Sequence, residues 1–145
     1  MKPVRFLLLG CVIALSGAAL ASADDEASWA ADSVARATFT SGVADREPVD
    51  TVTEVTTDHS VIYFFSELQN MAGERVTHRW EYNGQVMAEV PFSVGGPRWR
   101  VWSSKNLEPF WVGEWTVSVM KDGAMLESRS FRYAESVIAP ASPQD

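Results

Sequence analysis

The chain has 145 residues, with 19 acids against 12 lysines and arginines for a formal charge of −7, and it contains two histidines and one cysteine. That length suits one domain with one core, and the negative balance argues against nucleic acid or an anionic lipid surface as a partner. One cysteine builds no disulfide framework, and two histidines without a short-spacing pair supply no imidazole or thiolate metal site.

The chain opens with MKPVR, then an apolar run from Phe6 to Ala21, then Ala21-Ser22-Ala23 before Asp24-Asp25-Glu26. A charged start, an apolar centre and a small-residue end predict a secretory signal peptide over 1–23, cleaved after Ala23. The pattern fits export better than a spanning helix, so no stable membrane insertion is expected after cleavage. Cys11 follows Leu8-Leu9-Gly10, and a lipid anchor there is the lesser alternative, because apolar and small residues continue well past it. Cleavage after Ala23 leaves a cysteine-free chain and removes Lys2 and Arg5 but no acid, so −7 becomes −9. Residues 24–33, DDEASWAADS, read as an acidic linker.

From 34 to 133 the sequence reads as short strands rich in β-branched and aromatic residues: 35–40, 52–55, 61–68, 75–82, 85–94, 98–103, 114–120 and 125–133. Turn signals separate them at Asn70 to Gly73, Asn83-Gly84, Gly95-Gly96-Pro97 and Asp122-Gly123. About eight strands at this spacing predict an all-β fold, an antiparallel two-sheet β-sandwich of immunoglobulin-like arrangement, followed by a flexible tail over 134–145. VIYFF is apolar on both faces, which predicts a central strand covered twice or a strand offering one face to a partner. At Asn83-Gly84, a two-residue turn without a bulge puts the apolar residues of the two strands on opposite faces. A three-residue loop with a glycine bulge sets Val76, His78 and Trp80 against Val90, Ala88 and Val86 on one apolar face, and is the expected register. The expected core holds Trp80, Val86, Val90, Trp99, Val101, Trp115 and Val117.

ARATFTSGVADREPVD, VIYFFSEL, VTHRWEYNGQVMAEVPFSVGGPRWRVWSSKNL and GEWTVSV together resemble the bacterial family known as domain of unknown function 2914, from about Ala35 to Tyr133. The resemblance implies exported or membrane-tethered bacterial proteins with a β-rich domain and no established activity, and it carries over no catalytic residue. With the signal peptide it places the chain in the periplasm of a Gram-negative bacterium or among its secreted proteins.

Catalytic readings are weak. Asp58-His59-Ser60 holds the residue types of a hydrolytic triad, but three consecutive residues do not converge as a triad must, so an ordinary turn is expected. His78 is read as a packed, hydrogen-bonded histidine. Asp45, Glu47, Asp50 and Glu54 lack the glycine-punctuated loop of a calcium site and read as a solvated acidic face. No cofactor is expected.

What remains is GGPRWRVWSSKN, residues 95–106. In a strand, alternation puts Arg98, Arg100 and Trp102 on one face and Trp99, Val101 and Ser103 on the other, with Lys105 extending the cationic patch into the next loop. An arginine fork beside an indole suits a carboxylate or a sugar ring. Arg98, Arg100, Trp102 and Lys105 are therefore the candidate binding residues of a non-catalytic binding or adaptor domain, the partner being an envelope glycan or an acidic envelope protein. The alternative is a structural or assembly subunit that pairs through VIYFF or an open sheet edge, in which the arginines pair with Glu89, Glu108 or Glu114 and merely cover the sheet.

Overall fold

The computed structural model describes residues 31–137. The expected signal peptide, its cleavage site, Cys11 and most of the expected linker and tail lie outside these described residues. Ten strands run in chain order: β1 (Ser33–Thr40), β2 (Val43–Ala44), β3 (Glu47–Pro48), β4 (Glu54–Thr56), β5 (Val61–Gln69), β6 (Arg75–Tyr82), β7 (Gln85–Ser93), β8 (Arg98–Asn106), β9 (Gly113–Lys121) and β10 (Ala124–Ala134). Among the described residues no helix is long and apolar enough to cross a membrane.

One sheet has the order β1-β5-β8, a second β4-β10-β9-β6-β7, and β2 with β3 forms a small hairpin. The expected all-β class holds, with two corrections. β2 and β3 were not anticipated, and the pairing is not wholly antiparallel, since β4 runs parallel to β10. Inward side chains of the two larger sheets meet in a single core. Phe39 of β1 has its ring 4.7 Å from Phe131 of β10, 5.0 Å from Phe64 of β5 and 6.2 Å from Trp80 of β6. Trp115 of β9 stacks on Phe131 with an interplanar angle of 9°.

β5 is central, flanked by β1 and β8. Its inward side chains Ile62, Phe64, Ser66 and Leu68 are buried, and on the opposite face Phe65 and Glu67 are buried as well. Of the two readings of VIYFF, the covering on both faces holds at Phe65 and Glu67, while Val61 is exposed and Tyr63 half-buried on the outer face.

At Asn83-Gly84 the observed register is neither of the two weighed. Tyr82 faces Gln85 across a two-residue loop whose φ angles, 46° at Asn83 and 82° at Gly84, belong to a type I′ turn. The irregularity sits one step further along: Glu81 pairs with Val86, Trp80 with Ala88, and Met87 is the extra residue. Val76, His78 and Trp80 then fall opposite Phe92, Val90 and Ala88, so the single apolar face is achieved by a bulge in β7 and not in the turn. The displaced bulge leaves Val86 49% exposed, which removes it from the expected core. Val90 and Trp99 are partly buried against the core, while Trp80, Val101, Trp115 and Val117 lie within it.

The domain edges are tied to the body of the fold. Asp32 pairs with Lys121, and the Asn70 side-chain amide donates to the Ala31 carbonyl at 3.1 Å. Beyond β10, the Ser136 amide donates to Thr57 Oγ1 at 3.1 Å.

These placements separate two residues that the sequence assigned alike to the core, Trp115, which is buried, and Val86, which is exposed. Trp115→Ala is expected to cost about 3–5 kcal/mol, whereas Val86→Ala should change stability by less than ~0.5 kcal/mol. Urea midpoints of the two variants test this, and equal midpoints would take Trp115 out of the core.

Candidate functional site

Alternation along β8 places Arg98, Arg100 and Trp102 on the outer face of the three-stranded sheet, as expected. Their neighbours follow from register: Glu67 of β5 faces Arg100 on one side and Arg36 of β1 on the other, and Phe65 faces Trp102 and Thr38. Trp99 turns the other way and packs over the connection from β7. A Cβ on Gly95 would lie 2.7 Å from its indole, so a bare backbone is required there.

The arginines are already partnered. Arg98 donates from Nε to Glu67 Oε1 at 2.8 Å and from a terminal nitrogen to Oε2 at 3.0 Å, a bidentate fork. Arg36 reaches the same carboxylate at 2.6 Å and grips Glu47 through both terminal nitrogens, at 2.8 and 3.1 Å. Arg100 pairs with Glu47 as well. Three arginines thus share two carboxylates, and none of them uses Glu89, Glu108 or Glu114, the partners anticipated for a structural role. Glu89 pairs instead with Arg79.

These contacts set the ionisation of the network. The Arg98 fork, followed by Arg36, overcomes the burial of Glu67 and holds its carboxyl at about 2. Glu47 is held at about 2, first by Arg36 and then by Arg100. Arg36 and Arg98 are raised in turn by hydrogen bonds to these carboxylates. The network is therefore ionised at any physiological pH.

Glu67 is only 4% exposed, yet the Arg98 side chain is 63% exposed and Trp102 is 37% exposed. Among the described residues no arginine lies over the Trp102 ring, and the cation–π contacts are Arg36 over Phe65 at 5.1 Å, Arg46 over Trp99 at 5.8 Å and Lys105 over Trp111 at 5.4 Å. Lys105 needs a correction. β8 continues to Asn106, so alternation turns Lys105 away from the face that carries Arg98, Arg100 and Trp102.

Sequence reading missed Glu47 and Glu67 as members of this cluster. Glu47 stands in the β2–β3 hairpin, whose turn residues Asp45 and Arg46 have φ angles of 49° and 63°. Asp45 suits a left-handed position, but Arg46 stands where glycine usually completes the signal of a I′ turn. Asp50 is likewise spent locally: Ser41, through its hydroxyl and amide, and the Thr40 hydroxyl hold its carboxyl low. The expected solvated acidic face is thus partly committed to structure. Among the described residues no group of three or more His, Cys, Asp or Glu side chains is placed to hold a metal ion.

The two histidines take the roles read for them. His59 follows a turn, its Nδ1 3.4 Å from Asp58, with both side chains exposed. His78 is sealed between the sheets. Its Nε2 lies 2.7 Å from Ser66 Oγ and its Nδ1 2.8 Å from Ser103 Oγ, and Ser103 also accepts from Trp80 Nε1 at 3.0 Å. A neutral imidazole gives one hydrogen bond and takes one, which satisfies both serines. Ser66 and His78 are 0% exposed and Ser103 7%, so this serine–histidine–serine row is buried in the core.

Burial brings the His78 pKa from its ordinary 6.5 down to about 3. Between those values the unfolded chain holds a proton that the folded chain lacks. The stability from neutral His78 is thus complete above about pH 6.5 and falls as pH drops toward 3, by about 1.4 kcal/mol per pH unit. The contribution of Glu67 and Glu47 is complete above their ordinary 4.5 and is lost only as pH falls from there toward 2. Urea midpoints between the ordinary His and Glu values therefore isolate His78. His78→Gln should flatten the pH slope in that window, and an unchanged slope would exclude His78 as its source.

No curated protein matches the chain. Among solved structures, an immunoglobulin-like protein from Pseudomonas aeruginosa superposes with a TM-score of 0.50 at 16% identity, covering 73% of this chain and 98% of that one. An alkylpurine DNA glycosylase from Pseudomonas fluorescens, bound to DNA containing an abasic site analog, gives a TM-score of 0.44 at 14% identity over 71% of this chain and 30% of that one. The first likeness bears on the fold alone, and supports its immunoglobulin-like character. Residues 73–133 match the model of the family described as Protein of unknown function (DUF2914), and over that span the chain carries the family resemblance read from its wording.

Proposed function

We propose that this chain is a non-catalytic binding or adaptor domain of the Gram-negative envelope, exported to the periplasm or secreted. Its sheets of three and five strands are read as the layers of an immunoglobulin-like sandwich. The recognition surface is the outer face of the three-stranded sheet, and its partner is an envelope glycan or an acidic envelope protein. One observation carries this reading. Arg36, Arg98 and Arg100 share only Glu47 and Glu67, so a chain of net charge −7 keeps a local surplus of positive charge beside the half-open Trp102 ring. Arg98 is the accessible cation and Trp102 the stacking surface, while Arg100 supports the face from beneath through Glu47. Lys105 is left out, since it faces the other way.

The second reading, a structural or assembly subunit, is favoured by a different observation: each of these arginines already has a carboxylate partner. An arginine so neutralised attracts an acidic ligand only at short range.

Binding isotherms of the purified protein with solubilised peptidoglycan fragments and with a polyglutamate peptide separate the two readings. Under the binding reading, Trp102→Ala weakens binding by about tenfold or more, the size of one good stacking contact, while melting changes little, whereas Arg98→Ala would also lower melting because it strips a partner from the buried Glu67 carboxylate. Unchanged binding by a variant that melts markedly lower supports the structural reading.

A further inference from the structure

Each sheet edge in this fold is blunted, with one exception among the described residues. β1 carries a bulge between Val34 and Arg36. β4 has three residues. β7 carries the bulge at Met87 and holds Pro91. Bulges, shortness and proline are the usual means by which an edge is kept from pairing with another chain. β8 has none of them: nine residues, no proline within it, and an uninterrupted register with β5 on its inner side.

The backbone groups of β8 sort by parity. The Leu107 amide donates to the Ser60 carbonyl and the Asn70 amide to the Pro97 carbonyl, each at 2.8 Å. Both contacts belong to the β5–β8 register, so hydrogen-bonded pairs fall at the odd residues of β8. Arg98, Arg100, Trp102, Ser104 and Asn106 therefore point N–H and C=O away from β5. No backbone partner for these groups occurs among the described residues. Charged side chains are the remaining way to protect an edge, and here Glu67 and Glu47 draw Arg98 and Arg100 back over their own sheet. At the start of the strand Arg46 lies against Trp99 without a hydrogen bond to the β8 backbone.

We propose that β8 pairs antiparallel with β8 of a second copy of this chain, about a twofold axis at Trp102. The register follows from the side chains. Among pairings that join outward-pointing residues, only the one centred on Trp102 uses the whole strand. It sets Trp102 against Trp102, Arg100 against Ser104 and Arg98 against Asn106, with no like charges opposed. Centring on Arg100 would oppose two arginines, which cross-strand pairing disfavours. The result is an isologous contact that joins two three-stranded sheets into one and puts the exposed indoles side by side at its middle. This inference does not rest on recognition of a glycan or acidic protein, because it concerns the strand edge and is tested without ligand.

Sedimentation equilibrium of the purified protein across the micromolar range should show a reversible monomer–dimer equilibrium. Ser104 is exposed and its side chain has no partner among the described hydrogen bonds, so its substitutions should fold normally, which melting curves verify. Ser104→Lys sets a cation opposite Arg100 twice per dimer and should weaken association by about tenfold, while Ser104→Glu should tighten it by a similar factor. A protein that stays monomeric throughout, or a dimer that both substitutions move in the same direction or leave unmoved, would overturn the proposal.

Discussion

A carboxylate 4% exposed in the middle strand of a three-stranded sheet has lost nearly all its water, and the outer half of this molecule is arranged around that fact. Glu67 must find cations on both sides, and the strands that flank β5 supply them: Arg36 from β1 and Arg98 from β8. A slip of either strand by one residue would turn its arginine to the other face. The ionic contacts therefore specify register as well as stabilise it, a role in which buried charge can exceed its net energetic value. Glu47 then ties Arg36 to Arg100 across the same sheet and brings the β2–β3 hairpin with it.

The inner face of the same strand uses neutral chemistry for a similar end. Ser66 of β5 and Ser103 of β8 hold His78 of β6 between them, and Trp80 joins through Ser103. Hydrophobic contacts such as Phe39 against Phe64 tolerate small slides, whereas a hydrogen-bonded imidazole in a dry core has one satisfactory position. The sheets are thus located relative to each other by His78, as the strands within the outer sheet are located by Glu67.

The part of this legible in the sequence was that governed by local period. Residue type and turn spacing marked β5 to β10, and alternation placed Trp80, Val101, Trp115 and Val117 inside and put Arg98, Arg100 and Trp102 on one face. What the period does not determine was misplaced or missed. The apolar faces of β6 and β7 required one extra residue somewhere, but the sequence does not say whether it sits in the turn or at Met87, and Val86 was assigned to the core as a result. The β2–β3 hairpin escaped because Arg46 occupies a left-handed turn position without the residue type that announces one. The partners of Arg98 and Arg100 escaped because Glu67 and Glu47 lie tens of residues away, a separation that only strand order resolves. Lys105 was misdirected by ending the strand at Ser103, before the three residues that complete it.

The spent arginines also bear on what kind of contact the outer sheet makes. A guanidinium already forked by a carboxylate gives little long-range attraction, so affinity there must come from close fit, from Trp102 and from backbone groups left without partners. Those groups lie along the β8 edge, and the same carboxylates that quiet Arg98 and Arg100 also clear their side chains from it. Self-pairing and ligand recognition are consequently compatible uses of one strand, since hydrogen bonds run in the plane of the sheet while side chains stand out of it. Joined through β8, two copies would place two Arg98–Trp102 surfaces on one continuous sheet face. A repetitive polyanion or glycan would then meet paired weak sites, whose combined grip exceeds either alone by the effective concentration of the second.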